Sequence, residues 1–148
     1  MMKLTGQNIL ILGAGKIGST IADMAAELHE ATVTLADMQP PPGTDPQIRP
    51  LQLDIDDDAA LTRALQQHSV VINALPFFCA ERVARAAARL GVHYFDLTED
   101  VAAMRAIQEM AAQARSLGFS LVFAAQDLPS MEKRVKQEAK SIVGNCNL

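Results

Sequence analysis

Cysteine is nearly absent: Cys79 and Cys146 are the only two in 148 residues, far apart and in no metal-type spacing. That excludes a disulfide framework and a cysteine-ligated metal site, and it fits a reducing cytosol. Basic residues are not in excess either. Thirteen Lys and Arg against 17 Asp and Glu give a net charge of −4, too few cations to neutralise nucleic-acid phosphates or an anionic membrane surface. No apolar run approaches the about 18 residues that a membrane span needs. The first residues lead directly into a strand pattern rather than a signal peptide. The sequence also holds no metal-ligand cluster, no nucleophile–base pair and no P-loop lysine motif. At 148 residues, 49% of them hydrophobic, the expectation is one cytoplasmic domain with a proper core, since domains run to about 100–200 residues.

What is present is sharper. Asn8–Leu12 is a short apolar strand that passes through Gly13, Ala14, Gly15, Lys16, Ile17 and Gly18 into an amphipathic helix. In such a G-x-G-x-x-G turn each glycine has its own task. Gly13 turns the chain off the strand, Gly15 lets backbone approach a pyrophosphate, and Gly18 lets the helix pack against the strand. The free N–H groups and partial positive charge at the helix start then face the phosphates. Asp37 ends the next strand 19 residues beyond Gly18, close to the about 20 expected for the acid that holds an adenosine ribose. The plainer alternative is a tight strand–helix turn with no ligand.

Strands and helices alternate along the chain. After Asn8–Leu12, a helix from Lys16 to Leu28 places Ile17, Ile21, Met24, Ala25 and Leu28 on one face. Thr32–Asp37 reads as a second strand, and Met38–Gln47, rich in proline, as a surface loop. Arg49–Leu53 is a third strand; Asp56, Asp57 and Asp58 open a helix carrying Leu61, Ala64 and Leu65. Ser69–Leu75 is a nearly all-apolar fourth strand, stopped by Pro76. A helix follows to Leu90 with Val83, Ala87 and Leu90 inward and Gly91 closing it. Val92–Asp96 is strand five. Thr98 caps the next helix, which runs through Leu117, with Glu99 and Asp100 in its first turn and Gly118 after it. Phe119–Ala125 is strand six, and Ser130–Val143 a last amphipathic helix ended by Gly144. This succession predicts an α/β fold: a doubly wound, Rossmann-type parallel sheet in order 3-2-1-4-5-6.

Asp37 carries the cofactor choice. A carboxylate there accepts hydrogen bonds from both ribose hydroxyls of NAD, whereas a 2′-phosphate meets like charge, at a cost on the order of 4 kcal/mol at 4 Å and effective dielectric 20. Met38 and Gln39 follow, with no Arg to compensate, so NAD is expected over NADP; the alternative is an exposed strand-end acid. Asp54 and Ile55, after strand three, are placed to border the adenine, although Asp54 equally suits the start of the acidic helix cap. Asn73, Ala74 and Leu75 lie at the carboxyl end of strand four, beside the switch point where open α/β sheets bind ligands. Asn73 has two roles open, contact with the ribose or diphosphate and capping of the turn before Pro76. Tyr94, Asp96, Thr98 and Glu99 gather around strand five toward the nicotinamide half, but Thr98-Glu99-Asp100 is also an ordinary helix start. His93 reads as a packed strand residue and Cys79 as a small buried hydrophobe.

Gln7–Gly18, Asp37, Val70–Phe78 (Val-Val-Ile-Asn-Ala-Leu-Pro-Phe-Phe) and Gly91–Val101 (Gly-Val-His-Tyr-Phe-Asp-Leu-Thr-Glu-Asp-Val) together resemble the N-terminal domain of the saccharopine dehydrogenase and lysine dehydrogenase family, over about residues 5–112. The resemblance implies a cofactor site at Gly13, Gly15, Gly18, Asp37, Asp54 and Asn73 to Leu75. It also implies amino-acid oxidation or imine reduction by hydride transfer. It identifies no catalytic residue. The partners it implies are a dinucleotide and an amino-acid substrate, with a homo-oligomer left open and no nucleic acid or membrane. Family members continue into a large substrate and dimerisation domain that this chain lacks, so the expectation is a truncated unit, inactive alone. From about Ala112 to Leu148, around Gln126-Asp-Leu-Pro, the chain instead resembles a piece of the coupling ATPases of conjugative secretion systems. Residues 118–148 are thus expected to have a different origin while still filling the sixth-strand position, with Phe119, Leu121 and Phe123 on one side of the sheet and Val122 and Ala124 on the other. Two other readings stay open: a stand-alone NAD-sensing module like the regulatory domains of potassium transporters, and a functionless product of gene rearrangement.

Overall fold

The computed structural model describes residues 6–28, 30–39, 42–43, 45–97, 100–113 and 121–123. Six strands, β1 (Asn8–Leu12), β2 (Thr32–Asp37), β3 (Ile48–Gln52), β4 (Val70–Asn73), β5 (His93–Asp96) and β6 (Leu121–Phe123), form one sheet in the order β3-β2-β1-β4-β5-β6. Every neighbouring pair is parallel, as the predicted Rossmann-type order requires. The helices are α1 (Lys16–Ala26), α2 (Asp58–Gln66), α3 (Ala80–Leu90) and α4 (Val101–Gln113), and a short 3-10 turn, Phe77–Cys79, precedes α3. No helix among the described residues is long and apolar enough to cross a membrane.

The two-residue side-chain period divides the core. Leu10, Leu12, Ala36, Val71 and Tyr94 point to one face, where α2, α3 and α4 supply Leu61, Leu65, Val83, Ala87 and Ile107. Ile9, Ile11, Val33, Leu35 and Val70 point to the other, against Ala22, Ala25 and Ala26 of α1. The central strands β1, β2 and β4 are apolar on both faces because helices cover both. The outer strand β3 is largely exposed and tolerates Pro50, which has no N–H to give a ladder.

Several boundaries and faces differ from the sequence expectation. The inward stripe of α1 is Gly18, Ala22, Ala25 and Ala26, with Ile21 packed partly against it. Ile17, Met24 and Leu28 lie outside, with Ile17 63% and Met24 65% exposed. The helix sits so close to β1 that only small side chains fit beneath it, and that closeness outweighs hydrophobic periodicity. Leu90 likewise stands at the surface, while Ala80, Ala84 and Ala88 join Val83 and Ala87 inside. Gly91 does close α3: its φ of +69° is left-handed, Val92 N donates to Ala87 O and Gly91 N to Ala88 O, the paired bonds of a glycine-terminated helix. Strand four ends at Asn73, because the Asn73 side chain draws in Leu75 N and turns the chain before Pro76. Asp100 precedes α4 rather than sitting in its first turn; its carboxylate accepts from Ala103 N at 2.8 Å, the bond of an N-cap. Thr98, Glu99, residues 114–120 and everything after Phe123, including the Ser130–Val143 helix, lie outside the described residues, as do the side chains of the sixth strand.

Candidate functional site

The carboxyl ends of β1, β2 and β4 converge on the glycine turn. Gly13 has a φ of +99°, and a Cβ there would lie 2.9 Å from Ala74 O; conformation and contact both demand glycine. At Gly18 a Cβ would lie 1.8 Å from Gly13 O and 3.4 Å from the Ala74 Cβ. Ala74 therefore touches both ends of the turn, and its own N–H donates to Leu12 O at 2.8 Å. Gly15 is different. Its backbone is ordinary, with φ −71°, and a Cβ there would meet nothing within 4 Å. Neither strain nor packing explains that glycine.

The start of α1 is also left bare. Gly15 occupies the N-cap, no side chain caps the helix, and its first turn holds no acid. By contrast, Asp57 caps α2 by accepting from Ala59 N and Ala60 N, with Asp58 in the first turn. A helix start leaves N–H groups without intrahelical partners, and at α1 those donors and the partial positive charge are available to an anion. Ala14, Lys16 and Ile17 lie along this edge.

Asp37 faces the turn from the end of β2. Its Oδ2 accepts from Ala14 N at 2.7 Å and its Oδ1 from Gln39 N at 3.3 Å, so the acid supports the glycine loop as well as standing beside it. Asp54 is exposed after β3; its Oδ1 accepts from Asp56 N at 2.9 Å, while its backbone carbonyl accepts from Asp57 N, so it shapes the approach to α2. Ile55 is half-buried against the core.

Asn73 occupies the capping role. It is 1% exposed; its Oδ1 accepts from Leu75 N at 3.2 Å, and its Nδ2 donates to Tyr94 Oη at 3.1 Å with Asp96 Oδ2 at 3.5 Å. The Tyr94 hydroxyl donates to Asp96 and also lies 3.3 Å from Ala80 O. Burial, then the neighbouring Asp96 charge, push the Tyr94 phenol far above its ordinary range. Tyr94 and Asp96, expected toward the nicotinamide half, are instead buried beneath α3. Their alternation along β5 was visible, but the register that pairs Asn73 with Asp96 was not. Cys79 is half-buried at the end of the 3-10 turn rather than a core residue; desolvation, then Asp56, push its thiol upward. His93 packs in β5 with a buried Nδ1 that has no hydrogen-bond partner among the described residues.

Residues 9–122 match the family described as the saccharopine dehydrogenase NADP-binding domain. The chain is similar to the saccharopine dehydrogenase [NADP(+), L-glutamate-forming] of Saccharomyces cerevisiae, at 29% identity over 92 residues, covering 57% of this chain and 20% of that protein. A short segment is similar to the type 4 coupling protein DotL of Legionella pneumophila, at 52% identity over 46 residues, or 31% of this chain and 6% of that one. The chain thus spans a fifth or less of each of these relatives. Among solved structures, the apo yeast saccharopine dehydrogenase superposes with a TM-score of 0.69 at 24% identity, over 80% of this chain and 27% of the other. That likeness is one of fold, and the match over residues 9–122 supplies the family. With its glycine turn and parallel sheet, the chain belongs to the saccharopine dehydrogenase NADP-binding domain family.

Proposed function

We propose that this chain is the dinucleotide-binding unit of a saccharopine- or lysine-dehydrogenase-like oxidoreductase, and that its cofactor is NAD. The observation that carries the reading is Gly15, a glycine with no conformational or packing cause at an uncapped helix start. The N–H groups from Gly15 to Gly18, including those of Lys16 and Ile17, hold the pyrophosphate, while Gly13 and Ala14, whose own N–H groups bond Ala36 O and Asp37, shape the turn beneath it. Asp37 holds the adenosine ribose, Asp54 and Ile55 border the adenine, and the backbone of Ala74 and Leu75, supported by Asn73, borders the nicotinamide side. When bound, NAD supplies a hydride acceptor. The chain's own residues orient it: the glycine turn fixes the phosphates and Asp37 fixes the ribose.

The family's description names NADP, and the choice in this chain rests on Asp37. Its carboxylate stands where a 2′-phosphate would put like charge, and Met38 and Gln39 bring no cation. The cofactor is therefore NAD despite the family's name.

An amino acid is the substrate class that the family suggests. Hydride transfer requires the substrate carbon about 3–3.5 Å from the nicotinamide in an aligned geometry, and the likeness covers only a fifth of the yeast enzyme. The isolated chain binds cofactor without oxidising lysine or saccharopine. Residues 118–148 have a separate origin, the reading suggested by the resemblance around Gln126-Asp-Leu-Pro. The unit is a single cytoplasmic domain. The test is NADH production from NAD and either amino acid by the purified chain, with Gly15→Val as control. Steady turnover above that control sinks the proposal of inactivity, and failure of the unmutated chain to bind any dinucleotide sinks the proposal as a whole.

A further inference from the structure

A second, buried group of polar residues lies directly behind the glycine turn. Tyr94, Asn73 and Asp96 are 0%, 1% and 3% exposed, on the face of β4 and β5 covered by α3. Burying three polar side chains costs stability unless they satisfy one another, and here they do. The Tyr94 hydroxyl donates to Asp96 and accepts from Asn73 Nδ2, and Asp96 Oδ2 lies within reach of that same Nδ2. Two acceptors on one side fix which way the Asn73 amide points. Its Oδ1 is thereby aimed at Leu75 N, 3.2 Å away. That bond shapes the turn in which Ala74 meets Gly13 and Gly18. Reversing the amide would set NH2 against N–H at Leu75, and the turn would lose its anchor.

We propose that Tyr94 and Asp96 are positioning residues for dinucleotide binding, acting through the Asn73 amide on the Ala74–Leu75 turn that backs the glycine loop. The proposal rests on the reading of that loop as the dinucleotide site. It concerns the side of the loop nearest β4, away from Asp37, so its effect falls on the nicotinamide half of the ligand rather than the adenosine half.

The experiment is calorimetric titration of the full chain with NADH and, separately, with AMP, which carries the adenosine and one phosphate only. Tyr94→Phe keeps the ring and removes the hydroxyl. NADH affinity falls about tenfold, while AMP affinity stays within about twofold. The Leu75 amide exchanges with solvent several times faster in the variant, at unchanged helical circular dichroism. Equal losses for both ligands point to general loosening and overturn the proposal, as does no loss for NADH. If Tyr94→Phe fails to fold, Asp96→Asn, which keeps the shape of the side chain, is held to the same ligand difference. An unmutated chain that binds neither ligand removes the dinucleotide reading and this proposal with it; an unmutated chain that binds NADH as well as Tyr94→Phe does removes this proposal alone.

Discussion

Two glycines three residues apart respond oppositely to the same added methyl. At Gly18 the new Cβ falls 1.8 Å from Gly13 O, whereas carbon and carbonyl oxygen rest at about 3.3 Å, so α1 must move off the sheet by roughly 1.5 Å. Overpacking of that kind costs about 2–3 kcal/mol, and at about 2–4 °C per kcal/mol for a chain of this size the Tm falls by roughly 4–12 °C. At Gly15 the Cβ meets nothing within 4 Å and φ is −71°. Alanine there restricts the unfolded chain, a gain of about 0.4–1 kcal/mol, and is a poorer N-cap than glycine, a loss of similar size. The net change stays within about 1 kcal/mol, or some 3 °C. Thermal unfolding of Gly15→Ala and Gly18→Ala beside the unmutated chain, followed by circular dichroism, makes the comparison. A Gly15→Ala variant as unstable as Gly18→Ala would refute the reasoning, because Gly15 would then serve packing and need no ligand to explain it.

Tyr94 is the only tyrosine and there is no tryptophan, so the phenolate absorbance band reports this side chain alone. Its phenol is held above the usual 10.0 by burial and Asp96; the folded state keeps the proton that the unfolded state releases, so this contribution to stability is full below pH 10 and lost as pH rises above it. Phenolate should appear only together with loss of helical signal, and phenolate formed near pH 10 in a folded chain would show the burial to be wrong. His68 behaves with the opposite sign: burial is the largest cause lowering it from 6.5, its Nδ1–H donates to Ala64 O at 2.6 Å and its Nε2 accepts from Thr34 Oγ1 at 2.9 Å. The unfolded state therefore binds the proton first, and stability falls as pH drops below 6.5; denaturant midpoints of His68→Gln should fall less between about pH 7 and pH 5 than those of the unmutated chain, and parallel curves would exclude His68 as the cause.

The strand order was legible because it needs only the alternation of apolar runs with helices and the handedness of crossovers. β1 and β2 were placed to the residue for the same reason: Asn8–Leu12 and Thr32–Asp37 are bounded by glycine and by loop residues on both sides. The inner face of α1 was not legible, since hydrophobic spacing favours Ile17, Met24 and Leu28, and only the approach of Gly18 to Gly13 O reveals that the helix sits too close for them. The glycine turn and the strand-end position of Asp37 could be read from spacing alone. That Asp37 also braces Ala14 N, and that Asn73 is held from behind by Tyr94 and Asp96, depends on contacts between residues 21 to 23 apart in sequence, which no local pattern records.

Two properties remain to be measured: whether this glycine turn holds a dinucleotide, and whether Asp37 selects it. Calorimetric titration of the unmutated chain with NADH and with NADPH, repeated on Asp37→Ser, measures both at once. The expected result is one NADH site per chain, NADPH at least about tenfold weaker, and a narrowed gap in Asp37→Ser. Equal affinity for the two cofactors in the unmutated chain would contradict the role of Asp37, and no heat of binding with either would contradict the site itself.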